Sequence, residues 1–191
     1  MKKIGLTGGI GVGKTYVSEV FHKLKVPVFN ADIKAKECLN NDKNLIVAVK
    51  QYFGENIYNR DGLRRDILAD IVFNDVQALK KLNSIVHPFV YEKFISWCSN
   101  QNSNIVIKEA AILFESKSHL ELDAIICVSA DKKNRITRIQ ERDGLILEDI
   151  QKRMNHQMSQ KKKEKLSDFI IYNNGKELIL PQVLYILKNI I

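Results

Sequence analysis

Residues 8–15 read Gly8-Gly9-Ile10-Gly11-Val12-Gly13-Lys14-Thr15, a fit to G-x-x-x-x-G-K-[ST] with Gly8, Gly13, Lys14 and Thr15 at the defining positions. The chemistry that this spacing serves is phosphate binding. A loop that wraps phosphates turns its backbone N–H groups inward, through conformations open mainly to glycine. Gly8, Gly9, Gly11 and Gly13 supply that freedom. Lys14 then places an ammonium on the β- and γ-phosphates, and the Thr15 hydroxyl is a ligand for Mg²⁺. Gly11, Val12, Gly13, Lys14, Thr15 and Tyr16 are the expected contacts of a bound nucleoside triphosphate.

Phosphoryl transfer needs more than a cradle: charge around the moving group, and a side chain that orients and deprotonates the attacking oxygen. Asp32 sits at the end of the second strand candidate, where a carboxylate can accept the proton of a substrate hydroxyl; a plain helix cap is the other reading of the same position. Glu109 closes the apolar run Ile105-Val106-Ile107-Lys108 and can hold a metal-bound water or touch substrate. Glu115, after Ile112-Leu113-Phe114, is a second carboxylate at that end of the sheet; either acid can also be a simple surface residue. Arg135, Arg138 and Arg142 recur at three- and four-residue steps, near one helical face. On a lid, their forked donors suit phosphoryl oxygens; the alternative is a solvated basic face. Arg65 lies outside that helix, His87-Pro88 marks a helix start with His87 open to a core role, and His22, His119 and His156 have no metal-ligand spacing.

The elements that must position these groups follow from apolar runs and breaks. Lys2–Thr7, Val26–Phe29, Ile105–Ile107, Ala124–Val128 and Phe169–Tyr172 are strand candidates, continuously apolar as in a parallel sheet covered on both faces. A helix follows the glycine loop through Val17, Val20, Phe21 and Leu24, and another starts near Asp32. Residues 32–103 exceed what a crossover needs and read as helices over Leu45–Phe53, Arg64–Phe73, Val76–Leu82 and Pro88–Cys98, with a turn at Asn59-Arg60-Asp61-Gly62. Arg135–Arg142 and Glu148–Lys165 read as two charged helices split by Asp143-Gly144, in the manner of a mobile lid. Glu177–Ile191 is amphipathic. The expected architecture is a three-layer α/β/α P-loop NTPase fold with a five-stranded parallel sheet. Its core is about 1–31, 104–131 and 167–191, its helical substrate-binding insertion about 32–103, and its lid about 132–166.

Bulk properties narrow the class. At 191 residues, 45% hydrophobic and 27% charged, the chain matches an ordinary globular domain. No apolar run approaches a membrane span, and the N-terminus enters the first strand without room for a signal peptide, so a cytoplasmic location is expected. Cys38, Cys98 and Cys127 are scattered and suit reduced structural thiols. The net charge of +8 suits either nucleic acid or a polyphosphate substrate; no nucleic-acid module accompanies Lys161-Lys162-Lys163-Glu164-Lys165, which reads as a solvated face, so the polyphosphate is preferred.

Taken together, these motifs resemble the dephospho-coenzyme A kinase family. The resemblance rests on Gly5 through Thr15, Ala31-Asp32, Gly62-Leu63-Arg64-Arg65, Val72-Phe73, Leu82-Asn83, His87-Pro88, Leu113-Phe114-Glu115, Arg138, Arg142, Gln157, Lys163, Asp168 and Asn173-Asn174-Gly175. It implies transfer of the ATP γ-phosphate to the ribose 3′-hydroxyl of dephospho-CoA. Asp32 then matches the catalytic aspartate, Lys14 and Thr15 the phosphate and Mg²⁺ groups, and Arg138 and Arg142 the lid arginines. Asn173 and Gly175 fall near adenine, while Arg65, His87, Pro88, Glu109 and Leu113 join Asp32 on the substrate side. A monomer or weak homo-oligomer acting on ATP and dephospho-CoA, with no nucleic acid or membrane partner, is the expectation. Asn30, Tyr16, Glu109, Ala111 and Arg135 depart from residues common in the family (Asp, Thr, Asp, Pro and Gln). Rival readings are another small-molecule or nucleoside kinase, a GTPase switch, for which no N-K-x-D stretch exists, and a nucleic-acid-dependent ATPase.

Overall fold

A computed structural model describes residues 1–190; Ile191, the end of the expected amphipathic segment, lies outside the described residues, as does the side chain of Phe73. In chain order the elements are β1 (Lys2–Thr7), α1 (Lys14–Lys23), β2 (Val28–Asn30), α2 (Ala31–Asn41), α3 (Lys43–Phe53), β3 (Tyr58–Asn59), β4 (Gly62–Leu63), α4 (Arg65–Asn74) and α5 (Val76–Ser99). They continue as β5 (Ile105–Glu109), β6 (Ala124–Ser129), α6 (Lys132–Asp143), α7 (Leu147–Asn155), α8 (Gln160–Lys165), β7 (Phe169–Tyr172) and α9 (Ile179–Ile190). The chain divides into two compact units, Met1–Asn30 with Gln101–Ile191, and Ala31–Asn100.

The first unit is built on a five-stranded sheet in the order β2-β5-β1-β6-β7, parallel at every pairing. Alternation along the strands sends side chains to opposite faces. Ile4 and Leu6 of β1, Ile105 and Ile107 of β5, and Ile126 and Val128 of β6 form one core with Val17 and Phe21 of α1 and Val183 and Ile186 of α9. Burying each such side chain contributes about 1.5–3 kcal/mol. The opposite face is close-packed too: a Cβ on Gly5 would meet Leu113 Cδ2 at 2.6 Å. The chain leaves β1 for the β2 edge and returns to β6 on the other side. The carboxyl end of β1 is therefore the switch point where open α/β sheets bind ligands, and the glycine loop begins there.

In the second unit, β3 and β4 pair antiparallel, Tyr58 opposite Leu63 and Asn59 opposite Gly62, so the expected turn is a two-residue hairpin through Arg60-Asp61. Leu68, Val72 and Ala78 join α4 to α5 in a small core. The two helices expected over Val76–Leu82 and Pro88–Cys98 are one helix, α5, which carries Pro88 inside it. A proline there removes one backbone bond and costs about 3 kcal/mol. The stripe Val86, Val90, Phe94 and Cys98, all buried at helical spacing, outweighs that cost.

The single helix expected over Glu148–Lys165 is instead two, α7 and α8, because Ser159 caps the second by accepting from Lys162 N. Strand β2 runs over Val28–Asn30, not Val26–Phe29. Cys38, Cys98 and Cys127 are buried. Burial pushes the Cys127 thiol up to about 11. No helix among the described residues is long and apolar enough to cross a membrane.

Candidate active site

The glycine loop joins β1 to α1 with Gly8, Gly11 and Gly13 held in the left-handed half of backbone space. Gly8, at φ 148°, stands where a Cβ would lie 2.5 Å from the Val128 carbonyl. Gly13, at φ 90°, caps α1, and a Cβ on it would lie 2.3 Å from Asn173 Nδ2. Gly8 needs glycine for space as well as for torsion, because its neighbour is backbone, whereas Gly13 needs it for torsion. No side chain caps α1 at Gly13, so the helix offers its first-turn N–H groups and its partial positive charge to an anion. Lys14 Nζ folds back to the Gly8 carbonyl at 3.0 Å, and Thr15 and Tyr16 are exposed.

Several side chains converge on the loop. Asn173 Nδ2 donates to the Val12 carbonyl at 2.9 Å; Arg138 donates to the same carbonyl at 3.4 Å through Nη1 and to the Asn173 carbonyl at 2.8 Å through Nη2. Arg138 and Asn173 are thus brought together at Val12, while Gly175 follows as a positive-φ glycine. Arg135 is only 8% exposed and donates from Nε to the Ile10 carbonyl at 2.9 Å. It is a loop support, which corrects the solvated-face reading of that position; burial lowers its pKa. Arg142 is not brought to the loop. Its guanidinium is exposed and makes two 2.8 Å bonds to the adjacent Asp143.

Glu109 is not a surface acid. At 4% exposure its Oε2 accepts from Ser18 Oγ at 2.7 Å and Asn30 Nδ2 at 3.0 Å. Leu113 is fully buried, so its side chain has no surface to offer a substrate; it packs beneath Gly5. Lys163, expected on a solvated face, is fully buried and bonds the Ala111 carbonyl and Glu115 Oε1, the latter at 2.9 Å. A lysine stem with one covered ammonium defeats a reading based on charge runs. Gln157 and Gln160 bond the loop's amides; the sequence names Gln157 only within the resemblance, with no role, and passes over Gln160, whose signal is the face it shares with Lys163 and Glu164 at i, i+3 and i+4.

The remaining candidates lie in the second unit. Asp32 is in the first turn of α2, one residue inside it, so it is not a cap residue outside the helix. Arg65 opens α4 and, with Lys36 and Asn40, rims a groove of about 210 Å³ walled by Leu39, Leu68 and Val72. His87 is half-buried and Pro88 exposed, both inside α5.

The sequence model for dephospho-CoA kinase matches residues 2–178. The chain belongs to the dephospho-CoA kinase family. A relative in Chlorobaculum tepidum, named dephospho-CoA kinase, is 37% identical over 180 residues, covering 90% of this chain and 86% of its own. A Thermus thermophilus crystal structure superposes at a TM-score of 0.88 with 28% identity, covering 100% of this chain and 97% of that one. A dephospho-CoA kinase from Campylobacter jejuni gives a TM-score of 0.68 at 27% identity, covering 100% and 98%.

Two of the positions at which the sequence departs from the pattern it resembles touch each other. Asn30 and Glu109 share a hydrogen bond, and an amide donor beside a buried carboxylate avoids the repulsion that two carboxylates would suffer. Asn30→Asp is expected to destabilise the fold by about 1–3 kcal/mol at pH 7. One carboxyl of the pair would then have a folded pKa above its unfolded value. The penalty is present above that pKa and fades as pH falls through it, so thermal melts at pH 7 and pH 5 check the sign.

Proposed function

We propose that the chain phosphorylates the ribose 3′-hydroxyl of dephospho-CoA with ATP, giving CoA and ADP, as its family membership implies. The observation that carries the reading is the glycine loop at the β1 switch point, with Arg138 and Asn173 bonded to its Val12 carbonyl and the Lys14 ammonium folded onto its Gly8 carbonyl. Gly11 through Tyr16 cradle the triphosphate, and Asn173 with Gly175 lies toward adenine. Asp32 takes the hydroxyl proton as the alcohol attacks; Arg65, His87, Pro88 and Glu109 serve the substrate side, and Leu113 serves it only by supporting the backbone. Lys14 and Arg138 neutralise the transferring group, and Arg142 joins them by leaving Asp143.

Among the described residues no cluster of three His, Cys, Asp or Glu could hold a metal. Mg²⁺ in a kinase is held by one or two protein oxygens together with substrate phosphates. The Thr15 hydroxyl, exposed beside the loop, is the oxygen that would hold it. Bound there, the ion would neutralise phosphate charge. We place the enzyme in the cytoplasm, as a monomer or weak homo-oligomer with soluble substrates. Residues 132–166 act as the lid of this proposed cycle.

The test is incubation with Mg-ATP and a panel of dephospho-CoA, nucleosides and shikimate-like alcohols. Phosphate on dephospho-CoA supports the reading; phosphate only on a nucleoside overturns it. Arg138→Ala is expected to lower turnover on the order of 10²-fold with little change in KM, the scale of one lost transition-state donor. A rise in KM at constant kcat would assign Arg138 to ground-state binding.

A further inference from the structure

The turn between α7 and α8 is stitched to the phosphate loop. Gln157 Oε1 accepts from Ile10 N at 2.9 Å, and Gln160 Oε1 accepts from Gly9 N at 2.9 Å. The orientation of Gln160 is unambiguous, since its Nε2 donates to the Val128 carbonyl at 3.1 Å and to Glu164 Oε1 at 3.0 Å; reversing the amide would set donor against donor. The turn is itself anchored. Glu115 Oε1 accepts from Met158 N at 2.7 Å and pairs with Lys163, and Ser159 caps α8. Each of residues 157–160 therefore makes a specific bond, and two of the four go to the loop.

These bonds divide the loop. The amides of Gly9 and Ile10 are turned to glutamine oxygens, whereas the second half, from Gly11 to Thr15, is set at the N-terminus of α1. We propose that Gln157 and Gln160 are positioning residues for nucleotide binding: they hold the first half of the loop so that the second half faces the phosphates, and they couple the order of the α7–α8 turn to occupancy of the loop. The coupling is reciprocal, so nucleotide that stabilises the loop also stabilises the turn. The inference rests on the loop being the ATP site.

The experiment uses the full chain and Gln157→Ala, Gln160→Ala and Gln157→Glu variants. The KM for ATP is expected to rise about tenfold in each alanine variant, with the KM for dephospho-CoA within twofold. Mg-ADP is expected to slow hydrogen exchange over residues 155–162 in the wild-type chain and to lose that effect in Gln157→Ala. Gln157→Glu keeps an acceptor oxygen, so the Ile10 amide should remain protected in the nucleotide-free variant, which a loss of general packing would not predict. An ATP KM within twofold of wild type in folded Gln157→Ala overturns the proposal. So does wild-type exchange in the turn that ignores Mg-ADP, a comparison that needs no variant to fold. Titration with Mg-ADP requires no acceptor, so failure of the dephospho-CoA assignment would show separately, as normal nucleotide binding without phosphorylated dephospho-CoA.

Discussion

Asp32→Asn should lower turnover by about 10²–10⁴-fold while ATP affinity stays close to that of the wild type. The substitution preserves size and a hydrogen-bonding oxygen but removes the ability to take a proton at neutral pH. Its effect on folding is expected to be small. Asp32 lies half-buried in the first turn of α2, where the helix dipole favours a carboxylate by about 0.3–1 kcal/mol. A kinetic loss of several kcal/mol beside a stability loss below one would separate the chemical role from the helical one. The measurement is kcat under saturating substrates, with ATP affinity from calorimetry and the thermal midpoint recorded in parallel. Unchanged turnover would leave Asp32 as a helix-terminal acid and would move the general base elsewhere.

Lys14→Ala should lower kcat by about 10²–10³-fold and weaken ATP binding as well. The buried Arg135 does not replace that flexible ammonium, because its guanidinium is committed to the Ile10 carbonyl. Lys14 Nζ bonds the Gly8 carbonyl, a contact that the ammonium can exchange for a phosphate oxygen without leaving the loop. Lys14→Arg should rescue poorly, because a planar guanidinium needs more width than a point charge. Fluorescence titration with nucleotide and single-turnover rates would divide the loss between binding and chemistry. A rate within tenfold of wild type would remove Lys14 from the transition state.

The phosphate loop was legible because its requirements are local. Glycine torsions, one lysine and one hydroxyl must follow each other within eight residues, and the folded loop differs from the motif only in what supports it. The parallel sheet was legible for a similar reason, since strands covered on both faces are apolar without interruption, as β5 is buried along its whole length. Pro88 misled because a local breaking signal was overruled by a buried stripe extending along α5. Lys163 and Arg135 misled because a charge run says nothing about which single cation is covered.

From sequence alone came the phosphate chemistry, the parallel α/β class and the resemblance to a family, because periodicity and short-range stereochemistry are written in consecutive residues. Only the tertiary structure decided that Arg135 supports the loop while Arg142 turns to Asp143, that Glu109 is shared by Ser18 and Asn30, and that two glutamines bond the amides of Gly9 and Ile10. Those partners lie far apart in the chain or compete with an equally plausible neighbour. Which contact forms depends on the burial and direction of each side chain, and packing alone sets both.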